Sequence, residues 1–195
     1  MIILNKDDII SFFDSHADSW DGFQERDEQV IEEILDKGGI RKGVNVLDVA
    51  CGTGILFPDY LKREVASVTG IDISPEMVKK AKSKFNDSEV ICADAETVTF
   101  NKQFDIVMIY NAFPHFINPH KLIGNLAKVV KHGGRLTIAH GMSKEEHDKF
   151  HMKNAGRISN LLPEKEETAT ILSPFFDVDV MISDDRMYIV SGTKK

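Results

Sequence analysis

Cysteine is nearly missing from this chain. The two present, Cys51 and Cys92, cannot build a disulfide framework, and such scarcity suits a reducing compartment. Long apolar runs are missing too: nothing approaches the ~20 consecutive residues that a membrane span needs. The opening MIILNKDDII has neither a basic stretch nor a long apolar core, so no signal peptide is expected. The expectation is a cytoplasmic protein with no membrane partner. Positive charge is also short, since 24 Lys and Arg against 31 Asp and Glu leave a net charge of −7. An acidic surface repels phosphate backbones, so nucleic acid is not an expected partner. What remains is an ordinary globular mixture, 42% hydrophobic over 195 residues. That is enough to bury a sizeable core and reads as one domain over residues 1–195.

Hydrophobic period divides the chain further. Helical segments are expected at 6–19 and 25–37, within an N-terminal capping region that runs to residue 40. Val30, Ile31, Ile34 and Leu35 share one face of the second helix, and Gly38-Gly39 stops it. Strands and helices then alternate. Strands are expected at 44–49, 67–72, 89–93, 104–110 and 135–139. Between them, helices start near Ile55, at Ser74-Pro75 and at Asn118-Pro119, the last ending at His132-Gly133-Gly134. The 104–110 run is apolar nearly throughout, as in a strand covered on both faces. The end breaks the rhythm. Ser143-Lys144-Glu145-Glu146 reads as a capping box, and another helix follows Pro163, making 142–170 a helical lid segment within the domain. Two last strands at 175–182 and 187–191 are joined by a turn too short for a crossover, so they are antiparallel. The fold class is α/β, a mostly parallel seven-stranded sheet with a C-terminal antiparallel hairpin and helices on both faces.

The chemistry concentrates where the first strand ends, in Val46-Leu47-Asp48-Val49-Ala50-Cys51-Gly52-Thr53-Gly54. Gly52 and Gly54 let backbone approach a ligand closely, and N–H groups at the helix start suit an anionic group. Asp48 is placed to accept from an ammonium. Asp72 closes the second strand, where a carboxylate takes both ribose hydroxyls. Asp94-Ala95 follows the third, where a carboxylate accepts from an adenine amino group. Ile73 and Met77 offer apolar walls, and Cys51 fits the turn as a small residue. Each aspartate alone reads better as a cap or loop residue; three at the ends of successive strands read as a nucleoside site. Dinucleotide binding is the rival, but G-x-G-x-x-G would fall on Ala50, Gly52 and Ile55. The acidic strand end points instead to S-adenosylmethionine.

VLDVACGTG, GIDISPEMVKKAK, ADAETVTF, FDIVMIYNAFPHF and LAKVVKHGGRLTIAH, in this order, resemble the class I S-adenosylmethionine-dependent methyltransferases. FFDSHADSWD is similar to the opening helix of small-molecule members, including the ubiquinone/menaquinone C-methyltransferase group. The resemblance implies a Rossmann-like methyltransferase fold. It implies that Asp48, Gly52 and Gly54 hold the methionine part, with Ala50 standing where the family's usual first glycine would be. Asp72 would hold the ribose, Asp94 with Ala95 the adenine, and Asn111 would lie near the reacting methyl. Trp20 reads either as core packing or as part of a flap over the cofactor, where its ring face favours a cation.

Methyl transfer from a sulfonium needs alignment and exclusion of water, and a base only where the acceptor keeps its proton. Candidate catalytic residues are His115, just past the fourth strand; His140, ending the fifth; and His147 and His151, four apart on the capped helix. A solvated helix face is the competing reading for His147 and His151. No residue is committed to a metal. The expected partner is a small-molecule acceptor, and the assembly a monomer or homodimer. Two alternatives stay open: a module that binds S-adenosylmethionine without transferring its methyl, and a metal-assisted methyltransferase using the histidine cluster.

Overall fold

The structure, a computed structural model, describes residues 4–23, 26–154 and 158–195, with the side chains of residues 23 and 150–154 left aside. Three helices come first, α1 (Lys6–His16), α2 (Trp20–Phe23) and α3 (Glu28–Lys37). The continuous helix expected over 6–19 breaks after His16. The N–H groups of Ala17 and Ser19 bond three residues back, to Asp14 and His16, and the Ser15 and Ser19 hydroxyls compete for the carbonyls of Phe12 and His16. α3 begins at Asp27, whose side chain accepts from the N–H of Gln29 and Val30. It buries Val30, Ile31, Ile34 and Leu35, the face expected from spacing, and ends at Gly38. A Cβ there would come within 2.9 Å of Met108 Cε, so this helix end packs directly on the sheet.

The strands are β1 (Asn45–Val49), β2 (Ser67–Asp72), β3 (Glu89–Cys92), β4 (Phe104–Tyr110), β5 (Val130–His140), β6 (Phe176–Ser183) and β7 (Tyr188–Lys194). They form one seven-stranded sheet in the order β3-β2-β1-β4-β5-β7-β6. β1 to β5 pair in parallel, while β7 is antiparallel to both β5 and β6. The C-terminal hairpin is therefore inserted with its second strand innermost. Between the strands lie α4 (Phe57–Lys62), α5 (Pro75–Lys84), α6 (Pro119–Leu126), α7 (Lys144–Asn154) and α8 (Lys165–Leu172), with a 3₁₀ turn over Phe113–His115.

Alternate residues of each strand enter two separate cores, as the pleat requires. Leu47, Val49, Val107 and Ile109 pack with Leu122, Leu126 and Leu172 on one face; Val46, Ile106 and Met108 pack with Ile34, Leu35, Phe57 and Tyr60 on the other. The central strands are apolar on both sides for this reason.

Two sequence expectations fail here. The helix expected to run to His132-Gly133-Gly134 ends at Leu126, and those three residues belong to the irregular start of β5. Phe104 pairs with Val130 but Ile106 with Arg135, so the extra residues form a bulge, and the positive φ of Gly133 (73°) serves that bulge instead of a helix cap. Cys92, which reads from sequence as buried because Ile91 and Ala93 flank it in an expected strand, is exposed because β3 is an edge strand and Cys92 is its last residue. Among the described residues, no helix is long and apolar enough to cross a membrane.

Candidate functional site

β1 has β2 on one side and β4 on the other, so the connections leave its carboxyl end in opposite directions and open a crevice there. The chain leaves β1 through a strained turn. Ala50 and Gly52 both have φ 55°, and Gly54 has φ 83°. For Gly54 the space is closed as well: a Cβ would lie 2.9 Å from the Phe85 ring. The turn is pinned by Cys51 N–H to Ile71 O (3.0 Å) and Gly54 N–H to Cys51 O (2.9 Å).

Asp72, at the end of β2, organises the other rim. Its two carboxylate oxygens accept from Gly52 N–H and Ser74 N–H, both at 2.8 Å. Ser74 caps α5 by accepting from Met77 N–H, and Pro75 follows at the first helical position. Burial pushes the Asp72 carboxyl up to about 6, against the pull of the Ser74 and Gly52 N–H groups. Asp48 lies deeper and is pushed up to about 8, chiefly by burial and further by the Asp72 carboxylate. The Tyr60 hydroxyl beside it pulls the other way, more than Asp72 pushes, but burial outweighs both. Two buried acids side by side make a place that favours positive charge. Burial and both acids also push the Cys51 thiol up, so Cys51 is a space-filling residue and not a nucleophile.

The crevice encloses about 900 Å³ of empty space, its open mouth included. Of the residues expected at a cofactor, Trp20, Ala50, Cys51, Gly52, Asp72, Ile73, Met77, Asp94, Ala95 and Asn111 line it. Asp48 and Gly54 stand behind the wall, the first under the turn and the second within it. Trp20 closes over the turn: a Cβ on Gly52 would be 3.7 Å from its Nε1. α1 and α2 are held there by polar contacts, Ser74 hydroxyl to Asp14, Thr53 hydroxyl to Asp21, and Lys84 to Asp21 at 2.8 Å. Asp94 accepts from Lys6 Nζ at 2.6 Å and from Glu96 N–H at 2.9 Å. Burial would raise its carboxyl, but these two partners outweigh that and hold it below the usual range. Asn111, with φ 53°, spends its side-chain oxygen on Gly141 N–H at 2.9 Å.

The histidines separate. His115 is on the crevice wall, with its Nδ1 2.8 Å from Ile158 O and its ring edge-on to Phe13. His140 and His147 are not on that wall. They form a buried layer under α7, ring centroids 4.7 Å apart, with Tyr188 alongside. His147 does not sit on a solvated face because α7 is tied inward: Asp148 accepts from Leu162 N–H at 2.9 Å and pairs with Lys144. Burial lowers the His147 pKa, against the pull of Asp148, and His115 and Lys144 lower it further. The His151 side chain lies outside the described residues. Among the described residues, no group of three His, Cys, Asp or Glu side chains is placed to hold a metal ion. Ser143 caps α7 through Glu146 N–H, but Glu146 returns to the Ser143 hydroxyl; the reciprocal capping box occurs instead at Glu164 and Glu167 of α8.

Sequence reasoning missed Lys6, Ile9, Glu96, Tyr110, Phe116 and Ile117 in the wall. The apolar ones are indistinguishable in sequence from core residues. Lys6 and Glu96 reach the site across 90 residues of chain, a pairing that no local pattern encodes.

A family described as a methyltransferase domain matches residues 47–138. The malonyl-[acyl-carrier protein] O-methyltransferase of Priestia megaterium is 27% identical over 172 residues, covering 83% of this chain and 63% of its own. A ubiquinone biosynthesis O-methyltransferase of Coxiella burnetii is 32% identical over 127 residues, covering 63% of this chain and 54% of its own. Across the first four such relatives the chain spans 47–63% of their length. Magnesium protoporphyrin IX methyltransferase from Synechocystis, solved with bound S-adenosylhomocysteine, superposes with a TM-score of 0.73 over 97% of this chain and 99% of its own, at 19% identity. The methyltransferase-domain match and the two relatives fit a class I S-adenosylmethionine-dependent methyltransferase, and the seven-stranded sheet has the fold of the Synechocystis structure.

Proposed function

We propose that this chain methylates an oxygen of a small-molecule acceptor, with S-adenosylmethionine as the donor. The observation that carries the reading is the crevice at the β1–β4 switch point, with Asp72 and Asp94 on its wall and buried Asp48 behind it. The residues fit the cofactor: Asp72 for the ribose hydroxyls, Asp94 and Ala95 for the adenine, the Ala50–Gly52 turn for the carboxylate, and buried Asp48 behind it for the ammonium. When bound, S-adenosylmethionine supplies a methyl group already activated on a sulfonium. Trp20 covers that end and excludes water.

The chain's own contribution to the chemistry is proton handling and alignment. A carbonyl oxygen can only accept, so His115 donates to Ile158 O from Nδ1–H. That fixes the tautomer whose basic lone pair is on Nε2. A wall residue of this kind is suited to take the proton of an acceptor hydroxyl, and the curated relatives described above, both named as O-methyltransferases, favour oxygen over carbon. Phe13, Phe116 and Ile117 offer the acceptor an apolar wall.

The test is calorimetric binding of S-adenosylmethionine and S-adenosylhomocysteine, followed by incubation with metabolite extract and a search for species that gain one methyl group. For His115→Ala, turnover is expected to fall by roughly 10²-fold or more while cofactor affinity changes little. Equal turnover would remove His115 as the base. Tight cofactor binding with no methylated product across a broad acceptor panel would support the non-catalytic binding module.

A further inference from the structure

We infer that Glu96 is a positioning residue that ties the N-terminal helix to the loop forming the acceptor wall. Glu96 is only 5% exposed, yet it faces the crevice, and within ADAETVTF it has no role among those given above to Asp94 and Ala95. Its two carboxylate oxygens serve different elements. Oε1 accepts from Ile117 N–H at 3.0 Å and Asn118 N–H at 2.9 Å, the two residues that lead from the His115 turn into α6. Oε2 accepts from Lys6 Nζ at 3.2 Å, in the first turn of α1. The same Lys6 reaches Asp94 at 2.6 Å, and Glu96 N–H donates to the other Asp94 oxygen at 2.9 Å.

These five contacts form one junction. On one side is α1, whose Ile9 and Phe13 face the crevice; on another is the His115–Ile117 wall; on the third is Asp94, the proposed adenine acceptor. An adenine amino group arriving at Asp94 meets a carboxylate already shared with Lys6. The ligand therefore bears on Lys6, and through Glu96 on the loop that carries His115. The structure links cofactor occupancy to the shape of the acceptor wall by this route. The inference rests on the cofactor reading given above for the Asp94 end of the crevice.

Three variants separate the two halves of the junction. Glu96→Gln keeps a carbonyl oxygen for the Ile117 and Asn118 N–H groups but turns an amide toward Lys6. Lys6→Met removes the cation alone. Both are expected to speed S-adenosylhomocysteine release about tenfold, the loss of one charge-assisted hydrogen bond, and to raise the cofactor KM more than they lower kcat. Release is read by stopped flow through Trp20, the single tryptophan, which stands in the crevice wall. Glu96→Ala frees the wall as well. Hydrogen exchange at the Ile117 and Asn118 amides should then quicken in the ligand-free protein, with kcat falling in addition, whereas Glu96→Gln restores both.

Unchanged exchange at Ile117 and Asn118 in Glu96→Ala overturns the positioning role. Unchanged release in both Glu96→Gln and Lys6→Met overturns the link to α1. If Glu96→Ala does not fold, slow exchange at both amides in Glu96→Gln together with fast release still supports the inference. A wild-type protein that binds no S-adenosylhomocysteine would instead refute the cofactor reading, and the exchange measurement would still report on the junction.

Discussion

Replacing Asp48 by Asn tests the electrostatics of the crevice most directly. Asp48 is 2% exposed, and burial with the Asp72 carboxylate behind it pushes its carboxyl from 3.8 to about 8. In the folded chain it therefore keeps its proton through neutral pH, whereas the unfolded chain releases it near 4. The sign follows from linkage. A group whose pKa is raised on folding contributes stability that is complete below the unfolded value and is lost as pH rises through the folded one. One pKa unit is worth about 1.4 kcal/mol, so between pH 5 and pH 9 this group alone removes roughly 4 kcal/mol from the ligand-free protein. Asn cannot titrate and fills nearly the same space. Urea unfolding of both proteins at pH 5, 7 and 9 should therefore show Asp48→Asn gaining on wild type by about that amount across the range. Cofactor binding should show the converse. An ammonium beside Asp48 favours the carboxylate, so binding should release a proton and tighten as pH rises toward 8. Calorimetry in two buffers of different ionisation enthalpy reads that proton. A stability difference between variant and wild type that does not change with pH would refute the reasoning.

Ala50 has φ 55°, which costs an L-residue about 1–2 kcal/mol. Ala50→Gly removes that strain and adds roughly 0.4–1 kcal/mol of unfolded-state entropy, so a net gain of between 0 and ~1.6 kcal/mol in thermal unfolding is expected, and a clear loss would contradict the turn geometry. Asp72→Ala should weaken S-adenosylmethionine binding at least about tenfold, because ribose contacts go and the Gly52 and Ser74 N–H groups lose their acceptor; unchanged affinity by calorimetry would remove Asp72 from the site. A thiol reagent should find one accessible cysteine, Cys92, whose thiol is itself pushed up by burial and by Asp72, so that its rate climbs through the alkaline range. Loss of that reaction in Cys92→Ser, with Cys51 untouched until unfolding, is the expected result.

The path from sequence to site was legible where local physics acts alone. Strand ends with an acid, a turn with glycines at positive φ, and Ser74-Pro75 at a helix start are written within a few residues of one another. Period two against period three to four then located most strands and the buried face of α3. The errors fell where two local signals coincide. His132-Gly133-Gly134 serves a bulge as well as a helix stop, and the choice between them comes from the pairing of β5 with β4, in which Val130 meets Phe104 and Arg135 meets Ile106. Cys92 looked buried because its strand neighbours are apolar, and only the order of strands shows that β3 has no partner on its outer edge.

By itself the sequence determined the parallel sheet, the turn that opens the crevice and the acids around it, because each depends on residues adjacent along the chain. Only the tertiary structure decided which histidine stands in the crevice wall and which two are buried under α7. It alone brought Lys6 and Glu96 together and drove the Asp48 carboxyl upward. The physical reason is common to all of these: desolvation and charge pairing act through space, and their strength is set by whatever the fold packs alongside.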